Sequence, residues 1–117
     1  RQLRIMEALD YITATVHMRS FVFLLVPGRF VADAGAQAAL RDYGLAEVEK
    51  TFGVLSEMMG EKDYLLGDFS LADTALFYVL VWAEAREIPM PANLAACLAR
   101  LKARPAFAAM QAEPAAH

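Results

Sequence analysis

Tyr64-Leu65-Leu66-Gly67-Asp68-Phe69-Ser70-Leu71-Ala72-Asp73 leads into Ala75-Leu76-Phe77-Tyr78-Val79-Leu80-Val81-Trp82-Ala83, and the fold is read from this stretch. A helix leaves about four N–H groups of its first turn without internal partners. Ser70 is a good N-cap, and Asp73 stands three residues on, where its side chain can reach back. The pattern predicts a capping box, in which the Ser70 hydroxyl accepts the Asp73 N–H and the Asp73 carboxylate accepts the Ser70 N–H. The residues that follow are apolar on every face, which predicts a helix enclosed by the rest of the protein. Water cannot satisfy such a helix end, so the chain itself must supply the cap. Asp73 also sets negative charge at the positive end of the helix dipole. A capping box by itself marks only a helix start, since many helices carry one. Phe69 could form half of a hydrophobic staple, but Thr74 at the facing position offers it only a methyl group.

The rest of the chain is consistent with a helical domain built around that segment. At 117 residues it is long enough for one domain and one core. The hydrophobic fraction of 58% exceeds the usual range of roughly 45–50%, and part of the excess is Ala, a strong helix former. Charged residues are sparse, which predicts an exposed apolar face that meets a partner. A net charge of −3 and the lack of a basic stripe argue against nucleic-acid binding. The apolar runs fall short of the roughly 20 residues that span a bilayer, so no membrane role is expected. Cys97 stands alone, which excludes a disulfide framework and fits a reducing cytoplasm. The chain opens at Arg1 with no initiator Met, as expected of a piece of a longer protein.

Helical periodicity over residues 3–25, with Leu9, Ile12, Val16 and Phe21 recurring, predicts one long helix that Pro27-Gly28 ends. Asp33 is a plausible cap for a second long helix over 37–59, whose stripe runs Leu45, Val48, Phe52, Leu55, Met59. Gly44 and Gly53 interrupt it, permitting either a close helix contact or a bend. The capped helix runs from 71 to about 87, and Pro89 and Pro91 bracket an extended link. Further helices are expected over 93–103, with Leu94, Cys97, Leu98 and Leu101 inward, and over 106–112, with a frayed tail at 113–117. The expected fold class is all-α, a bundle of five or more helices with the two long ones antiparallel.

His17 is the one internal histidine, and a lone His on a partly apolar helix is more often structural than catalytic. No His, Cys and carboxylate cluster has ligand spacing, so no metal is expected. Ser20 lacks a nucleophile-elbow context, and no phosphate-cradling glycine loop is present. Glu84 and Glu87 read as a solvated face, and Cys97 as an inert core thiol.

Two sets of residues resemble a known family. Gly67-x-x-Ser70-x-Ala72-Asp73, after an aromatic-Leu-x-Gly approach and before a helix ending near Trp82, resembles the core of the glutathione transferase C-terminal domain. Leu9-Asp10-Tyr11-Ile12, followed by Val16-His17, resembles the opening helix of that domain in the bacterial beta class. The segment ending Trp82-Ala83 and the close Arg100-Leu101-Lys102-Ala103-Arg104-Pro105 are similar to that class too.

The resemblance implies that residues 1–117 form a glutathione transferase C-terminal-like helical domain. Asp10 matches an Asn that touches the γ-glutamyl end of glutathione from the neighbouring subunit, where a carboxylate could pair with the α-amino group. His17 matches a His at the cleft edge, and Trp82 a Trp of the hydrophobic-substrate pocket. Met18 stands where the family has Lys, and the stretch Arg19-Ser20-Phe21-Val22-Phe23 holds an extra residue. Met18, Phe21 and Trp82 are therefore expected to line the pocket of an apolar electrophile. Glutathione is implied as co-substrate, a thioredoxin-like N-terminal domain and a second copy as partners. No catalytic residue is assigned, because the family's activating Tyr, Ser or Cys lies in that N-terminal half. The same resemblance also covers non-catalytic helical modules used for assembly.

Overall fold

The computed structural model describes residues 1–112; the side chains of Met18, Arg19 and residues 110–112 lie outside that description, as do residues 113–117, where the frayed tail was expected. The elements are α1 (Gln2–Asp10), a π-helical segment (Tyr11–Phe21), α2 (Val22–Leu25), a 3-10 turn (Pro27–Arg29), α3 (Ala34–Met59), α4 (Leu71–Ala85), α5 (Ala92–Ala103) and α6 (Pro105–Ala112). Among the described residues there is no strand, only an isolated bridge between Tyr64 and Gly67. The fold is the all-α bundle that the periodicity predicts.

Residues 2–25 form one continuous rod, since Tyr11 and Val22 at its internal junctions keep right-handed helical dihedrals. Its middle departs from the predicted α-helix. The Val22 N–H donates to the His17 carbonyl, five residues back. The Ser20 hydroxyl donates to the Thr15 carbonyl at 3.0 Å, again five back. A π turn takes up more residues than an α turn and is rare in long runs.

The rod packs antiparallel to α3. Phe23 meets Tyr43 (5.7 Å between ring centroids) and Phe21 meets Phe52 (6.1 Å), while Ala8 and Tyr11 lie beside Met58. Gly44 allows this approach, because a Cβ there would stand 2.6 Å from the Leu24 nitrogen and 2.8 Å from the Ser20 carbonyl oxygen. Gly53 has open space around it. Asp33 caps α3 by accepting the Ala36 N–H at 2.8 Å. At the far end, the Asn93 amide donates to the carbonyls of Ser56, which also accepts the Gly60 N–H, and of Gly60, tying the C-terminus of α3 to the start of α5.

α4 lies between the rod and α5, burying Leu76, Phe77, Val79, Leu80 and Ala83. Its capping box is closed. The Ser70 N–H donates to Asp73 Oδ2 at 2.9 Å, and the Ser70 hydroxyl accepts the Ala72 N–H at 3.3 Å. Asp73 Oδ1 also accepts the Leu65 N–H at 3.1 Å, which ties the preceding loop to the helix start. Gly67 in that loop has φ 104°, a value that favours glycine. Phe69 does not staple Thr74. It packs against Tyr64 and Phe107, and the Arg104 guanidinium stacks 3.8 Å over its ring.

Enclosure of α4 on every face is not observed. Leu71 (62% exposed) and Tyr78 (43%) open a stripe at helical spacing. The hydrophobicity of a segment reports that each face is apolar, not that this chain covers each one. Glu84 and Glu87 are exposed, as expected of a solvated face, and Glu87 also follows α4 in a turn with φ 56°. The Glu87 N–H donates to the Glu84 carbonyl and the Ile88 N–H to the Ala83 carbonyl, the Schellman pattern in which glycine is usual.

Candidate functional site

α4 and the rod run side by side in the same direction. Arg1 donates to the Phe69 carbonyl at their first ends, and His17 meets Trp82 toward their second. The His17 and Trp82 rings are 5.0 Å apart, edge to face, and Phe21 lies 5.7 Å from Trp82 in a similar T-shaped contact. Phe21 is fully buried and braced behind by Phe52. Trp82 and His17 are half-buried, so each shows one edge to the surface.

Two hollows open on either side of the His17–Trp82 pair. One, of about 270 Å³, is walled by Ile12, Thr13, Ala75, Tyr78 and Val79. The other, of about 180 Å³, lies over Phe21, Val22, Leu25 and Val26, with Arg29 at its edge. Each is smaller than the roughly 300 Å³ at which small-molecule sites begin. No aspartate or glutamate lines either one. Leu3 and Met6, nearer the start of the rod, are exposed apolar residues too.

The expected site residues divide between two places. His17, Phe21 and Trp82 come together. Met18 follows His17 in the π segment, but its side chain lies outside the described residues. Asp10 is exposed and lines a different groove, of about 520 Å³, with Arg4, Tyr11 and Met58 between the rod and α3. There the Tyr11 hydroxyl is shifted up by burial, with the Glu47 carboxylate adding to the effect. Ser70 and Asp73 lie at the opposite end of α4 from Trp82, with Asp73 about 13 Å along the axis, so they orient the helix without touching the pocket. Arg29, Val22, Leu25 and Val26 were not singled out from sequence. Pro27-Gly28 reads as a helix stop, and nothing in that signal says where the next side chain turns.

Further ionisable groups bear on these elements. Burial raises the Asp73 carboxyl above its ordinary range, opposed by the hydrogen bonds from Leu65 and Ser70 and by the charges of Arg104 and Arg1. Burial also pushes the Cys97 thiol up to about 11. On α5, Arg100 donates to the Asp63 carbonyl at 2.8 Å, and Lys102 pairs with Glu84 across to α4. Among the described residues no group of three or more His, Cys, Asp or Glu could hold a metal, and no helix is long and apolar enough to cross a membrane.

Fold and pocket define an all-helical domain organised on a capped central helix, with aromatic side chains meeting near that helix's far end. The chain belongs to the glutathione S-transferase C-terminal domain family, whose model matches residues 32–112. The match takes in the capping box and Trp82 and leaves out the rod that carries Asp10, His17 and Phe21. No curated protein and no solved structure matches the chain.

Proposed function

We propose that this chain is the acceptor-binding half of a beta-class-like glutathione transferase. A thioredoxin-like half supplies the activated glutathione thiolate, which attacks an apolar electrophile held against Trp82, Phe21 and His17. The single observation that carries this reading is the meeting of His17, Phe21 and Trp82 over two hollows that contain no carboxylate. Each hollow is too small to enclose a ligand by itself, which suits a site that a second half completes. The exposed apolar side chains of Leu3 and Met6 on the rod and of Leu71 and Tyr78 on α4, with Tyr78 in the wall of one hollow, suit the docking of that half.

In this reading the role of the chain is positioning. Trp82 and Phe21 bind the acceptor ring by stacking and exclusion of water, and His17 stands at the polar edge of the cleft. Met18 belongs to the same wall. Asp10 serves a different end of the reaction, pairing with the α-amino group of glutathione held by a second subunit. The parent protein is therefore a cytoplasmic homodimer. Glutathione is its co-substrate, and no metal takes part.

The test is glutathione-dependent conjugation of 1-chloro-2,4-dinitrobenzene. This chain alone should read at background. Joined behind a thioredoxin-like, glutathione-activating half it should turn over, and Trp82→Ala should lower that rate by about tenfold or more through lost acceptor contact. Clear turnover by the chain alone, or indifference of the joined protein to Trp82→Ala, would contradict the reading.

A second reading, a non-catalytic assembly module, is favoured by one observation. Phe23, Phe30 and Tyr43 stack in a group away from Trp82, with Phe30 and Tyr43 exposed. An upstream half without an activating Tyr, Ser or Cys would select this alternative.

A further inference from the structure

We infer that the pocket prefers acceptors whose aromatic ring carries a carboxylate, and that Arg29 selects them. The inference rests on the proposed reading of the pocket as the acceptor site and names the class of molecule it takes. Arg29 ends the 3-10 turn that follows α2. Its N–H donates to the Val26 carbonyl at 3.1 Å, and the next N–H, of Phe30, donates to Pro27 at 3.0 Å. Pro27 is buried, so the turn is anchored. The following loop is held by the Gln37 amide, which donates to the Val31 and Ala32 carbonyls. Arg29 therefore springs from an ordered corner.

Its side chain borders the hollow over Phe21 and Trp82, and it is the one arginine or lysine among the described residues that lines either hollow. No described carboxylate pairs with it, since the ion pairs among those residues are Arg100–Asp63 and Lys102–Glu84. The result is an apolar aromatic floor with a planar, unpaired guanidinium at its rim, in a chain whose net charge is −3. A guanidinium recognises a carboxylate through two parallel N–H···O bonds. An apolar floor next to it weakens competition from water. A flat ring bearing one carboxylate meets both features at once, the ring against Trp82 and the anion at Arg29. A neutral ring of the same size meets only the floor.

Trp82 is the sole tryptophan, so its indole N–H gives a single resolved signal in a proton–nitrogen correlation spectrum and reports on this pocket. The experiment titrates 15N-labelled chain with 4-nitrobenzoate and, separately, with the neutral isostere 4-nitrobenzamide. The acid should move the indole signal with an affinity about three- to fivefold higher than the amide, the size expected of an exposed ion pair. Arg29→Gln should remove that preference and leave the amide titration unchanged, and Arg29→Lys should keep part of it. Reduced glutathione brings two carboxylates and no ring, and should leave the signal in place.

Equal affinity for the two probes in the unsubstituted chain, or a preference that survives Arg29→Gln, would overturn the assignment to Arg29 while the acceptor pocket stands. A shift caused by glutathione and lost in Arg29→Gln would give Arg29 to the tripeptide instead and overturn the proposal. Failure of either probe to move the indole signal would overturn the pocket reading and this inference with it.

Discussion

Asp73 is fully buried and its carboxylate takes two backbone N–H groups, from Ser70 and Leu65. Removing it strands both donors away from water, so Asp73→Ala should cost about 1–3 kcal/mol in urea melts. A loss of a few tenths would mean that the helix start is solvated. The pH dependence has a definite sign. Burial raises the Asp73 carboxyl, so the native state holds that proton more tightly than the unfolded chain does. The contribution of this group to stability therefore grows as pH falls through its raised native value towards the ordinary value near 4. Between about pH 7 and about pH 4 the stability difference between the parent and Asp73→Asn should move in favour of the parent. A difference that stays flat or moves the other way would mean that the hydrogen bonds outweigh burial. Glu87 holds φ 56° in the turn that ends α4, a conformation costing a non-glycine residue about 1 kcal/mol or more. Glu87→Gly should accordingly raise the urea midpoint, and a lowered midpoint would mean that the Glu87 side chain contributes more than its backbone strain costs. Cys97, buried and with its thiol up near 11, should resist 5,5′-dithiobis(2-nitrobenzoate) in the native state and react only on unfolding.

At the scale of the element, the two glycines of α3 should respond in opposite directions. Gly53 faces open space, so Gly53→Ala should stabilise by up to about 1 kcal/mol through helix propensity alone. Gly44 has Leu24 and Ser20 backbone within 3 Å of where a Cβ would stand, so Gly44→Ala should force the rod and α3 apart and destabilise. Equal responses at the two positions would show that the close crossing is absent. The sequence marked both glycines as interruptions and could not tell them apart, because the difference lies in what the facing helix brings to each. The capping box, by contrast, was fully legible, since Ser70 and Asp73 interact across three residues of one chain. The π segment was not legible, because apolar periodicity over so short a stretch does not distinguish i→i+5 from i→i+4 bonding.

For the whole molecule, the parallel placement of the rod beside α4 brings His17 to Trp82, residues 65 positions apart in the sequence. That pairing was legible only through resemblance, because periodicity assigns a residue to a face and not to a partner. Asp10 shows the converse, since its place in the groove against Met58 follows from how α3 crosses the rod. The open stripe of α4 was hidden for a related reason. A segment apolar on all sides carries no mark of which side the chain leaves open, and here Leu71 and Tyr78 are that side. The proposed function depends on the acceptor ring lying against Trp82 and His17. The most direct measurement is an amide shift map of the 15N-labelled chain with S-(2,4-dinitrophenyl)glutathione, which carries both the ring and the tripeptide. The largest shifts should fall at Thr13, His17, Tyr78 and the Trp82 indole. Shifts gathered instead around Arg4, Tyr11 and Met58, or none at millimolar ligand, would contradict it.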